Sequence, residues 1–186
     1  MIVIFDRQHY GKPGRSDLGA AYDVDADGDI GWQEREANLT PMYYEPAIPM
    51  LRASGARVHV IDSGWYHERH AEACRISRAS PGEKTAYIAC HVNAGGGDYA
   101  AVIHDARSRL GEDLAERIAL SMGQGSLPVA KCIVRAAKPN GGWKRAFTTI
   151  KGVYAGTPET PSTPWLCGVC FEPYFLDQAA HASLIT

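Results

Sequence analysis

The chain has 186 residues, 45% hydrophobic and 22% charged, which fits one domain with a sizeable core and excludes an intrinsically disordered chain. Nineteen Lys and Arg against 21 Asp and Glu leave a net charge of −2, which speaks against a dedicated nucleic-acid binder. No apolar run approaches the roughly 20 residues that span a bilayer.

Residues 2–6 (IVIFD) read as a first core strand rather than the basic and apolar regions of an export signal. The expectation is therefore synthesis in the cytoplasm without a signal peptide. Residues 32–54 begin charged and become amphipathic, a helix interrupted near Pro41, Pro46 and Pro49 and stopped at Gly55. Residues 57–61 alternate as a strand, and Tyr66–Ala79 reads as a helix. Residues 86–91 and 100–104 are buried-strand candidates. Over 108–122, Leu110, Leu114, Ile118 and Met122 recur every four residues, which predicts an amphipathic helix. Residues 131–136, 152–155 and 166–171 read as strands, and 178–185 as a closing helix or tail. Strand–helix alternation predicts a three-layer α/β sandwich with a mostly parallel or mixed sheet, spanning residues 1–186 as a single domain.

Five cysteines are too sparse for a disulfide scaffold, and the Cys167-x-x-Cys170 pair lacks the second half of a zinc or redox motif. They read as buried thiols. The informative polar residues lie where open α/β sheets bind ligands, beyond the carboxyl ends of strands. His9 follows the first strand, Glu34 and Glu36 open the first long helix, His91 and Asn93 follow strand 86–91, and Glu172 follows strand 166–171. Two histidines and several carboxylates from separate segments suit a zinc site with an open position and a neighbouring general base.

These segments resemble the zinc-dependent N-acetylmuramoyl-L-alanine amidases of the amidase-3 type. The family's D-x-G-H-G-G corresponds to Asp6-Arg7-Gln8-His9-Tyr10-Gly11, with a later Gly-Ala at Gly19-Ala20. Its E-x-x-x-N-L corresponds to Glu34-Arg35-Glu36-Ala37-Asn38-Leu39, and its E-R pair to Glu68-Arg69. Its S-I-H-A-N-A appears as Ala89-Cys90-His91-Val92-Asn93-Ala94, and its V-E-x-G-F-L as Phe171-Glu172-Pro173-Tyr174-Phe175-Leu176. The departures are Gln8 and Tyr10 for glycines, Ala89 for serine and Tyr174 for glycine.

The resemblance implies a six-stranded sheet flanked by helices. It also implies a peptidoglycan hydrolase that cuts between N-acetylmuramic acid and the stem peptide's L-alanine. His9, Glu34 and His91 are the implied zinc ligands, Glu172 the catalytic carboxylate, and Asn93 a loop-orienting or substrate-binding residue. An amidase expected without a leader resembles an endolysin, reaching the wall through a holin or another route. A monomer is expected.

Residues 23–34 also match an EF-hand loop, D-x-D-x-D-G-x5-E, with oxygens from Asp23, Asp25 and Asp27, the backbone carbonyl of Asp29, and Glu34 closing the loop. A glutamate bidentate to calcium is not readily a zinc ligand. Three readings follow: Glu34 on zinc, Glu34 on calcium with Glu36 on zinc, or a calcium module without catalytic zinc. The second function class is accordingly a calcium-binding or catalytically inactive wall-recognition module.

Overall fold

The computed structural model describes residues 1–14, 18–23, 28–31, 34–124 and 131–178. Six strands form one sheet: β1 (Ile2–Arg7), β2 (Arg57–Ile61), β3 (Thr85–Cys90), β4 (Ala100–Asp105), β5 (Cys132–Ala137) and β6 (Leu166–Glu172). Their order is β2-β1-β3-β6-β4-β5, and only the β4–β6 pair is antiparallel. Among the described residues, five helices cover it: α1 (Glu36–Tyr44), α2 (Ala47–Ala53), α3 (Tyr66–Arg78), α4 (Arg109–Gly123) and α5 (Lys144–Ala155).

Side chains alternate across the strands, so each face builds its own core. On one face, Ile2, Ile4, Tyr87, Ala101, Ile103 and Cys170 pack against α3 and α5 through Ala73, Cys74, Phe147 and Ile150. On the other, Val3, Phe5 and Cys90 meet α1 and α2 at Tyr44 and Leu51. Val102 and Val169 meet α4 there through Ala115, Leu114 and Ile118. The result is the expected three-layer sandwich with a mostly parallel six-stranded sheet.

Local departures from the expected elements have physical reasons. The predicted 32–54 helix breaks at Pro46 as expected, giving α1 and α2, but it starts later, at Glu36, and Pro41 and Pro49 lie within the two helices. Residues 152–155 are the last turns of α5, not a strand. Ala146, Phe147, Ile150 and Val153 recur at helical spacing and bury together, a longer period than a four-residue window can register. Leu110 lies off the buried face of α4, where Gly111 and Ala115 take the contact instead. The closing segment beyond residue 178 lies outside the described residues. All five cysteines are free thiols.

Parallel register sets up the site. Arg7 lies opposite Cys90 in the β1–β3 ladder, and Cys90 lies opposite Phe171 in the β3–β6 ladder. His9, His91 and Glu172 each follow within two residues of this row, so three adjacent strands deliver them to one edge.

Candidate active site

His9 sits in the turn after β1 with φ +62°, a left-handed conformation uncommon for a residue with a side chain. Arg69 holds that turn in place. This fully buried residue of α3 pairs with Asp6 through Nη1, which also donates to the Arg7 carbonyl at 2.9 Å. Its Nη2 donates to the Tyr10 carbonyl and its Nε to the Gly64 carbonyl, the latter at 2.7 Å. Asp6 also accepts from Tyr87 Oη and from the buried amide of Gln8. Gln8 and Tyr10 therefore fill the flanking positions without glycine: Gln8 turns inward to Asp6, and Tyr10 lies under the Arg7 guanidinium at 3.6 Å.

Glu36 begins α1, and its carboxylate reaches both imidazoles. His91 Nδ1 donates to its Oε1 at 2.7 Å, and His9 Nε2 stands 3.6 Å from its Oε2. Backbone amides complete the grip, Val92 N on Oε1 at 3.1 Å and Ala20 N on Oε2 at 2.9 Å. The His9 and His91 rings meet edge-on with centroids 5.2 Å apart. One potential ligand atom from each of His9, Glu36 and His91 lies within 4.8 Å of the others.

The geometry favours Glu36 over the expected Glu34 at this position. The carboxylate between the histidines belongs to Glu36, while Glu34 Oε2 accepts from the Gly31 amide at 2.5 Å. The reason is local. Arg35 remains extended and α1 begins at Glu36, later than the charged run suggests. The Glu36 amide donates to the Ala20 carbonyl and Ala37 to that of Leu18, which docks the first turn on the 18–20 strip beside His91. Of the calcium-loop residues, Asp25 and Asp27 lie outside the described residues. Asp23 Oδ2 accepts from the Gly28 amide at 3.0 Å.

Electrostatics follow burial and neighbours. Burial pushes the Glu36 carboxyl up, but the His91 hydrogen bond, the charges of His91 and His9, and the Ala20 amide outweigh it and hold it below the usual range. Burial pushes His91 down, yet Glu36 and more distant carboxylates raise its pKa overall. Glu172 goes the other way. Its carboxyl is raised, first by burial and then by the Glu36 charge, against the lowering influence of His91 and of Asn93. Asn93 Nδ2 donates to Glu172 Oε2 at 2.6 Å, so Asn93 holds the carboxylate itself. His9, Glu36, His91, Asn93 and Glu172 all line one cleft of about 510 Å³.

A nitrogen–nitrogen–oxygen donor set suits zinc. His91 Nε2 is buried and has no hydrogen-bond partner, a desolvated lone pair or proton that a bound cation or water would satisfy. The residues present fit a metal ion. In the sequence, Glu36 is legible only as an alternative to Glu34, and Arg69 only as part of the Glu68-Arg69 pair. The buried charge of Arg69 has no sequence signature beyond its place after the Glu68 cap, whose Oε2 accepts from Trp65 N at 2.6 Å.

Solved structures share this architecture. The chain has the fold of the N-acetylmuramoyl-L-alanine amidases. The amidase from Clostridium difficile 630 superposes with TM-score 0.59 at 14% identity, over 99% of this chain and 91% of that one. The amidase AmiC2 of Nostoc punctiforme gives 0.57 at 16%, over 100% and 92%. Cwp6 from Clostridium difficile gives 0.64 at 16%, and this chain spans only 26% of its length. No protein-family model and no curated protein sequence matches the chain. Among the described residues, no helix is long and apolar enough to cross a membrane.

Proposed function

We propose that the chain is a zinc-dependent peptidoglycan hydrolase that cleaves the amide between N-acetylmuramic acid and the stem peptide's L-alanine, with the cell wall as its place of action. The observation that carries this reading is the juxtaposition of His9, Glu36 and His91 with Glu172, half-buried and raised in pKa, in one cleft. Amidase structures of the same fold support it.

His9, Glu36 and His91 would hold the ion. When bound, zinc supplies Lewis-acid polarisation of the carbonyl and lowers the pKa of water. The chain's own residues do the proton work. Glu172 takes the proton of the attacking water, and its raised pKa brings it nearer the working pH for that transfer and for giving the proton to the departing alanine nitrogen. Asn93 keeps Glu172 Oε2 engaged from one side and fixes the carboxylate rotamer. Burial of the cleft walls strengthens each of these interactions.

The test is digestion of purified peptidoglycan with wild type and Glu172→Gln, followed by mass spectrometry of the products. Wild type should release peptides with a free N-terminal L-alanine. Glu172→Gln should keep its zinc and lose about 100-fold or more in rate. New sugar reducing ends, or no products from zinc-loaded wild type, would overturn the reading.

A further inference from the structure

The cleft is also lined by the first turn of α5, and that turn carries a cation the hydrolytic step does not use. Among the described residues, Arg145 is the only Lys or Arg lining the cleft. It is exposed, and no carboxylate among the described residues pairs with it; Arg35, Arg52, Arg78, Arg117 and Arg135 are also without such a pair, but none of them lines the cleft. Its position runs against local electrostatics. The first turn of α5 has no acidic residue and carries Lys144 beside Arg145, where the helix dipole disfavours cations. Such a local conflict is expected where function rather than stability selects the residue. An anion at Arg145 would relieve it.

The amidase reading, on which this inference rests, supplies such an anion. The released peptide begins with L-alanine, and its next residue is a glutamyl unit whose α-carboxylate is free or amidated. Two extended residues reach about 7 Å, which keeps that group beside the scissile bond. We propose that Arg145 binds this carboxylate with its guanidinium fork and selects stem peptides that carry it free over those that carry the amide. Arginine suits the task because its paired N–H groups match a carboxylate and stay charged at any working pH.

The experiment compares two muramoyl peptides that differ only in carboxylate against carboxamide, reading kcat/KM for wild type, Arg145→Gln, Arg145→Lys and Lys144→Gln. The same peptides without the sugar serve as uncleavable probes in calorimetry with the same four proteins. Wild type should prefer the acid about tenfold or more in both readouts. Arg145→Gln should bring the ratio close to one, Arg145→Lys should retain part of it, and Lys144→Gln should keep most of it. A wild-type ratio near one, or an equal loss in Lys144→Gln, would overturn the assignment. Cleavage of both substrates without discrimination defeats Arg145 and leaves the amidase reading standing. Arg145-dependent binding without any cleavage does the reverse.

Discussion

At the scale of single residues, the Glu36 carboxylate is the centre of the site. It meets two imidazoles and two backbone amides, which fix its position between His9 and His91. Gly19 lies against it with φ +80°, and a Cβ there would stand 2.4 Å from Glu36 Oε2. Gly19→Ala is expected to fold and to weaken zinc binding about 10- to 100-fold, the range for groups that orient metal ligands. Zinc titration by calorimetry reads this directly, and an unchanged affinity would show that Glu36 tolerates displacement. The strip at Gly19 and Ala20 was legible as a motif in the sequence. Its role was not, because the contact to Glu36 depends on where α1 begins, and Glu34 and Glu36 differ by only two positions in one charged run.

At the scale of elements, three parallel strand ends and one helix assemble the site, and α3 locks the first of them. The Arg69 guanidinium carries the Asp6 charge, the Arg7 and Tyr10 carbonyls and the Gly64 carbonyl in a volume with no exposure. Arg69→Met leaves Asp6 buried without its counter-ion. The expected loss is about 3–5 kcal/mol of stability, read by urea denaturation, together with weaker zinc binding through the His9 turn. A loss under about 1 kcal/mol would mean that Tyr87 and Gln8 alone can satisfy Asp6. Strands β1, β3 and β6 were readable as short apolar runs, each ending in a polar residue. The C-terminal turns of α5 were not. Gly152-Val153-Tyr154-Ala155 has strand-like composition, and only packing of α5 against α3 and β6 makes it helical. Gly152 shows this contact: a Cβ there would fall 2.3 Å from His70 Nδ1.

At the scale of the whole molecule, the His9–Glu36–His91 cluster couples to the stability of the fold. In the zinc-free protein, His91 has a raised pKa, so its contribution is complete below its ordinary 6.5 and fades as pH rises through the raised value. Glu36 has a lowered pKa, so its contribution is complete above its ordinary 4.5 and fades as pH falls through the lowered value. Both are fully present between pH 4.5 and 6.5. The Tm difference between zinc-free wild type and zinc-free Glu36→Gln should therefore peak in that window and shrink on both sides. A difference that grows steadily toward alkaline pH would contradict the Glu36–His91 pairing. The sandwich and its sheet were accessible from strand–helix alternation, whereas the strand order and the β4–β6 reversal arise from packing between distant segments. Those long-range pairings bring His9, His91 and Glu172 to one edge.

Glu36, with His9 and His91, is the zinc centre proposed for this chain. Calorimetric zinc titration of wild type, Glu36→Ala and Glu34→Ala tests it most directly. About one zinc per chain is expected for wild type and Glu34→Ala, and loss of binding for Glu36→Ala. Zinc retained by Glu36→Ala, or lost from Glu34→Ala, would contradict it.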